Sequence, residues 1–428
     1  MRLRPNYTYA LAHRGLTYAK TEAYGQAIKD FSEVIERDPA NREAALLQRG
    51  VAYILVKDFD RAMQDFNSVI LLNPDSIDAY IFRGKLYQQT KDYDRLIENL
   101  DQIIRLSPDL AEAYSERCDA YRYKRDYERA LQDCNEAIRL KPEFAEPFNF
   151  RGNIHQEKGE YGRAIEDYGK AIQLNTHYVE AYNNRCNAYV ASGAYDKAIQ
   201  DCESALRLDP NDAYALSNRA NAYNGKGDYD QAIKDYNEAI RISPKRADVY
   251  INRCNAYRGR GDFDAAIRDC DEALKLQPGN VTALLNRGSA YDESGKYDRA
   301  MQDFTEVIRA QPDNALALNY RCWLEVKISN LDHAVKDCTQ ALELKPNDAD
   351  ILDSRGYAFL RLEQYDKALQ DFDNALRQNQ KLASSLFGRS LIKSHRGDAA
   401  GADSDLNAAK KIQPNIEADL ARQHIWPR

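Results

Sequence analysis

Residues 213–246 read AYALSNRANAYNGKGDYDQAIKDYNEAIRISPKR. Their apolar side chains recur at Leu216, Ala220 and Tyr223, then at Tyr229, Ala232, Tyr236, Ala239 and Ile240. Steps of three and four residues line one face of a helix, whereas a strand would alternate in twos. Gly227-Asp228 separates the two runs and Pro244 closes the second, and both interrupt helices. The stretch reads as two short helices joined by a turn.

Pro244 belongs to a series. Pro74, Pro108, Pro142, Pro210, Pro244, Pro278, Pro312, Pro346 and Pro414 lie on a 34-residue grid, with Thr176 and Gln380 at its two vacant nodes. Pro39 is one residue out of phase, which places a one-residue insertion near Arg42. With this proline at position 32, the chain divides into twelve repeats: 8–41, 43–76, 77–110, 111–144, 145–178, 179–212, 213–246, 247–280, 281–314, 315–348, 349–382 and 383–416. Residues 1–7 become the tail of an incomplete preceding repeat, since Pro5 is also on the grid, and 417–428 a C-terminal capping helix. Such periodicity overrides the count of about three domains that length alone would suggest.

Composition narrows the function. The 428 residues hold 60 Lys+Arg against 67 Asp+Glu, a net charge of −7, so nothing global favours a nucleic-acid partner. No run approaches the roughly 18–20 apolar residues of a membrane helix, and the first residues lack a signal-peptide core, so the chain is expected to be soluble and, by default, cytoplasmic. The six histidines share no metal spacing, and no nucleophile elbow, phosphate loop or catalytic carboxylate pair is present. No cofactor, metal or enzymatic activity is expected.

The repeat resembles the tetratricopeptide repeat (TPR) over nearly the whole chain. Gly152, Ala164, Tyr168 and Ala171 stand at that family's positions 8, 20, 24 and 27. The resemblance implies an all-α fold, a right-handed TPR superhelical solenoid of about twelve helix-turn-helix repeats whose first helices line a concave face. One hairpin cannot bury its own apolar stripe, so neighbours must stack.

Three features are position-specific. Position 7 is Arg in all twelve repeats, from Arg14 to Arg389, and position 23 is Asp in eleven, with Asn99 the exception. An Arg–Asp ion pair across each hairpin is expected, with an arginine row gripping an anionic ligand as the functional alternative. All eight cysteines hold positions 8 and 24 of alternate repeats: Cys118 with Cys134, Cys186 with Cys202, Cys254 with Cys270, and Cys322 with Cys338. The true period is therefore 68 residues. Intervening repeats carry a small residue with a ring, as in Gly152 with Tyr168, so either combination can fill one close helix crossing. Reduced core thiols are the plainer expectation. Disulfides are the sharper one.

Third, asparagines form two rows. Asn184, Asn218, Asn252 and Asn286 hold position 6, and Asn153, Asn187, Asn221 and Asn255 hold position 9. These positions lie opposite the apolar stripe, so they should face the concave groove. A carboxamide both donates and accepts, and a row of them can pair with an extended peptide backbone. Solvated side chains, or bonds between repeats, are the plainer alternative. The rows resemble the asparagine ladder of the TPR superhelix in O-linked N-acetylglucosamine transferases. Asp78, Glu112, Glu146, Glu180, Asp248 and Asp350 at position 2 make one rim acidic, so a neutral or basic partner should fit.

The expectation is a non-enzymatic protein–protein interaction scaffold that binds an extended peptide or protein segment in the concave groove. The alternative is the substrate-recruiting arm of a larger, glycosyltransferase-like enzyme. Self-association is expected through the uncapped N-terminal end, where Tyr9, Leu16 and Tyr18 lie.

Overall fold

The computed structural model describes residues 5–425, with side chains from Tyr7 onward. These residues form 25 α-helices and no strand. They divide after Pro210 into two compact halves. The N-terminal half holds α1 (Pro5–Lys20), α2 (Tyr24–Arg37), α3 (Arg42–Leu55), α4 (Phe59–Leu72), α5 (Ile77–Gln89), α6 (Tyr93–Leu106), α7 (Ala111–Tyr123), α8 (Tyr127–Leu140), α9 (Ala145–Glu157), α10 (Tyr161–Leu174), α11 (Val179–Ala191) and α12 (Tyr195–Leu208). The C-terminal half holds α13 (Ala213–Gly225), α14 (Tyr229–Ile242), α15 (Ala247–Arg260), α16 (Phe263–Leu276), α17 (Val281–Glu293), α18 (Tyr297–Ala310), α19 (Ala315–Lys327), α20 (Leu331–Leu344), α21 (Ala349–Arg361), α22 (Tyr365–Gln378), α23 (Ala383–His395), α24 (Ala399–Ile412) and α25 (Ile416–Arg422). Within each half, every odd-numbered helix up to α23 packs against the even-numbered helix after it, and each pair packs on the next. First helices of successive pairs also touch, as α7 with α9 and α15 with α17.

Helix boundaries follow local chemistry. Asp58, Asp92, Asp126, Asp228 and Asp262 each precede a second helix and accept a hydrogen bond from a backbone N–H three residues on, satisfying one of the donors a helix start leaves open. Pro5 opens α1, where its missing N–H costs nothing, so residues 5–7 of the expected preceding tail belong to the first helix. The remainder of that tail, 1–4, lies outside the described residues, as do 426–428 of the expected cap. Tyr7 and Tyr9 are exposed, while Leu16 and Tyr18 are half-buried and pack against a cluster holding Phe31 and Val34.

Across eleven hairpins the position-7 guanidinium donates twice to the position-23 carboxylate, Nε to Oδ2 and Nη2 to Oδ1, at 2.5–2.9 Å. In the twelfth, Arg83 donates to Asn99 Oδ1 at 2.9 Å, and Asn99 Nδ2 donates to the Tyr80 carbonyl at 2.7 Å. The third nitrogen reaches back to position 25 of the preceding repeat: Arg117 Nη1 to Asp101 at 2.6 Å, Arg287 to Asp271 at 2.6 Å, Arg389 to Asp373 at 2.8 Å. One side chain thus ties three helices together. Tyrosine at position 11 lies 5.7–6.0 Å beneath the same guanidinium in six repeats, which accounts for part of the tyrosine excess.

At the close crossing between positions 8 and 24, a methyl group on Gly152 would sit 2.6 Å from Tyr168 Cε1, so the ring occupies the missing side chain's space. Alternate repeats bridge the same gap covalently. Cys118–Cys134, Cys186–Cys202, Cys254–Cys270 and Cys322–Cys338 are disulfides with Cα separations of 5.3–5.7 Å, and all eight residues are buried. This corrects the plainer expectation of reduced thiols: the crossing brings the backbones into the range of about 4.4–6.8 Å that a bridge needs.

Position 11 of repeat 10 carries Glu325 in place of tyrosine. Its carboxyl is buried, Oε2 has no partner, and burial followed by repulsion from Asp337 raises its pKa from 4.5 to about 7. Asp353, wholly buried against Ser385, is likewise pushed up to about 7, chiefly by desolvation.

Three predictions follow from this packing. Arg253→Ala strands the buried Asp269 carboxylate and costs about 3–5 kcal/mol, read as accelerated amide exchange in α15 and α16, whereas R253L/D269L recovers part of the loss. Thiol titration of unreduced, denatured protein finds no free thiol, and eight appear after reduction. Because the folded pKa of Glu325 exceeds its unfolded value, its stabilising share is complete below pH 4.5 and is lost as pH climbs through about 7. E325Q should therefore melt above the parent at pH 8 but not at pH 4, and adding D353N should flatten the profile further.

Candidate functional site

Eleven of the twelve arginines are committed to internal carboxylates and Arg83 to the carboxamides of Asn99 and Asn67, which removes the simplest anion-binding reading. The asparagine rows behave differently, and they follow the 68-residue period. In the N-terminal half, Asn184 Nδ2 donates to Asn149 Oδ1 at 3.1 Å and to Asn153 Oδ1 at 3.0 Å, linking α11 to α9. Asn153 Oδ1 also accepts from the Tyr168 hydroxyl at 2.8 Å, because the ring that fills the space at Gly152 ends with its oxygen beside position 9. Gln156 Nε2 donates to Asn187 Oδ1 at 3.1 Å. The same arrangement recurs in the C-terminal half: Asn252 Nδ2 donates to Asn221 Oδ1 at 3.1 Å, and the Tyr236 hydroxyl donates to that oxygen at 2.6 Å.

The tyrosine repeats share one kind of rung. Where position 24 is Tyr, the position-9 carboxamide is anchored from below and bonded to the next repeat. Repeat 8 has Cys270 at position 24, and there Asn255, like Asn286 of the following repeat, has no hydrogen bond to another described residue. Asn153, Asn184, Asn187, Asn218, Asn221, Asn252, Asn255 and Asn286 are all half-buried. Structure thus brings Asn153 to Asn184 and Asn221 to Asn252 as bonds between repeats, and leaves Asn255 and Asn286 uncommitted. A signal for the anchored rungs was present in the sequence as Tyr at position 24, fifteen residues after Asn153 and Asn221. Asn149 and Gln156 join the network without having been singled out.

Carboxylates surround the first-helix face of the N-terminal half. Glu116 and Asp119 are both raised from their usual range, first by burial, with Glu112 adding to Glu116 and Glu180 and Glu157 adding to Asp119. Asp119 accepts from Arg122 Nε at 2.9 Å, and Arg122 Nη1 donates to Glu157 at 2.6 Å. Glu112 takes Lys141 Nζ at 2.7 Å, which lowers its pKa. No described helix is long and apolar enough to cross a membrane.

Family profiles described as tetratricopeptide repeat match residues 8–41, 44–76, 77–110, 111–144, 179–212, 213–246, 252–315, 289–349 and 322–384, and one described as TPR repeat matches 152–191. Among solved structures, the APC/C hetero-tetramer Cut9–Hcn1 is similar at a TM-score of 0.55 and 14% identity, over 98% of this chain and 96% of that one. A tetratricopeptide repeat protein from Parabacteroides merdae gives 0.48 and 20%, over 62% and 98%, and yeast Tom70 gives 0.47 and 14%, over 97% and 94%. No curated protein matches. With repeat matches over most of its length and helix pairs stacked at a 34-residue spacing, the chain belongs to the tetratricopeptide repeat family.

Proposed function

We propose that this chain is a non-catalytic scaffold that binds an extended, neutral to basic protein segment along its first helices: those of repeats 5 and 6 in the N-terminal half, and of repeats 7 to 9 in the C-terminal half. Helix-pair repeats of this family support a protein-interaction role in general. The observation that carries the finer reading is the pair of uncommitted carboxamides, Asn255 and Asn286, in a row whose other members are partly tied down. A helix-interior asparagine is less favourable than alanine by several tenths of a kcal/mol. In the anchored rungs, hydrogen bonds between repeats offset that cost. At Asn255 and Asn286 no described residue does, whereas a backbone segment offers each amide both an acceptor and a donor. The acidic surroundings of Glu116 and Asp119 favour a partner with lysine or arginine among its side chains.

Four buried disulfides further support an oxidising compartment as the site of folding, in place of the cytoplasm expected by default.

A peptide array probed with the parent and with N255A/N286A tests the binding reading. Losing two hydrogen bonds at about 1 kcal/mol each should weaken retention of basic peptides by roughly tenfold or more, with the melting temperature unchanged. Equal retention by both proteins would remove the proposal. N221A/N252A, by contrast, should lower the melting temperature because it breaks a bond between repeats.

A further inference from the structure

The last described helix does not behave as an independent element. Seven residues are too few for a stable isolated helix, so α25 owes its form to what it packs against. Ile416, Leu420 and Ile425 are buried and belong to the same apolar cluster as Leu386, Phe387 and Phe359. The contact is with α23, a first helix. Beyond α25 the chain continues over the same face. Arg361 Nη1, at the end of α21, donates to the His424 carbonyl at 3.1 Å and also to the Val326 carbonyl, while Nη2 donates to Ser329 Oγ at 2.8 Å. Arg422 and Gln423 then form one wall of a cavity of about 600 Å³. The same cavity is lined by Arg258 of α15, Asp292 and Glu293 of α17, and Trp323 and Lys327 of α19, with Phe263, Tyr297 and Phe304 of the second helices.

The first-helix residues among them occupy positions 9, 12 and 13 of their repeats, on the helices that carry the uncommitted Asn255 and Asn286 and on the next first helix, α19. Asp292 gives Oδ2 to Lys327 Nζ at 2.7 Å, but its buried Oδ1 has no partner. A buried acceptor without a donor is unfavourable. The C-terminal segment therefore ends beside a part of the face that still has polar groups to satisfy. Its hold is apolar side chains, the Arg361 bridge, an ion pair of Glu417 with Lys410 at 2.7 Å and a hydrogen bond from Gln413 to Asp419 at 2.6 Å, contacts that can open without unfolding the hairpins beneath it.

We propose that residues 416–425 are a reversible internal occupant of the first-helix face of the C-terminal half, and that a partner segment entering α17 to α21 must displace them. The inference rests on the reading of that face as a binding surface. Being tethered, the segment competes at an effective concentration on the order of millimolar, so only a partner with matching chemistry, a short amphipathic segment with apolar residues four and five apart, can replace it efficiently.

The test uses the full chain and a fluorescein-labelled peptide of residues 413–425, read by anisotropy. Parent protein should bind the peptide at least tenfold more weakly than L420D/I425D, whose own segment is released. A peptide carrying the same two aspartates should bind neither protein. Equal affinity of parent and variant, or no binding by a variant that keeps the parent's helical signal, would overturn the proposal. Should L420D/I425D lose that signal, amide exchange in the parent and in R361A decides: residues 416–425 protected in the parent and faster in R361A support docking, and free exchange in the parent overturns it. Because the peptide is the chain's own sequence, failure here leaves the N255A/N286A result standing, and the reverse also holds.

Discussion

The repeat stack depends on one side chain used three ways. Arginine at position 7 grips the carboxylate at position 23 with two parallel hydrogen bonds, and with its remaining nitrogen it reaches the repeat before it. A planar fork can satisfy that geometry where an ammonium cannot. Most of the guanidiniums are largely withdrawn from solvent and the carboxylates are buried more deeply still. Such pairs contribute less to net stability than to register, since a hairpin slipped by one residue would bury a carboxylate with no partner. Tyrosine stacked beneath the arginine then fills the space between helices that the ion pair holds apart.

Within that frame the crossing at positions 8 and 24 has two main solutions, a ring over glycine or alanine and a disulfide, and they alternate through repeats 4 to 11. The choice reaches further than the crossing itself. A tyrosine chosen there carries its hydroxyl through to position 9 and fixes an asparagine, whereas beside the Cys254–Cys270 disulfide Asn255 has no hydrogen bond to another described residue. Core packing on one side of the first helix thereby reaches the amides on the other side, where Asn153 and Asn221 each take a hydroxyl from the second helix.

The same face receives the end of the chain. Since first helices contact each other as well as their own partners, the row they form continues past the asparagines to Trp323 and Arg361, and there the last helix lies on it. Under the two proposals made above, one surface would serve as scaffold, binding row and seat of an internal occupant.

Periodicity made the fold legible: the 34-residue grid, the two helical stripes and the invariant Arg–Asp spacing are all one-dimensional facts, and hairpin pairing follows from them because sixteen residues is the distance across one turn. The alternation of cysteine with glycine and ring was equally visible. Which redox state the cysteines adopt was not, since a spacing of sixteen allows contact but says nothing of how near two backbones come. Among eight similar asparagines, Tyr168 and Tyr236 mark in sequence where a hydroxyl can reach Asn153 and Asn221, but whether it arrives within hydrogen-bonding distance only the tertiary structure decides. The fold of residues 416–425 back onto α23 and α21 lay furthest from view: it joins residues as much as 63 positions apart through no repeated pattern, and only packing in three dimensions brings Arg361 to the His424 carbonyl. Sequence alone determined the repeat and its register, because both are local and periodic. Tertiary structure decided the site, because it is made where periodicity breaks.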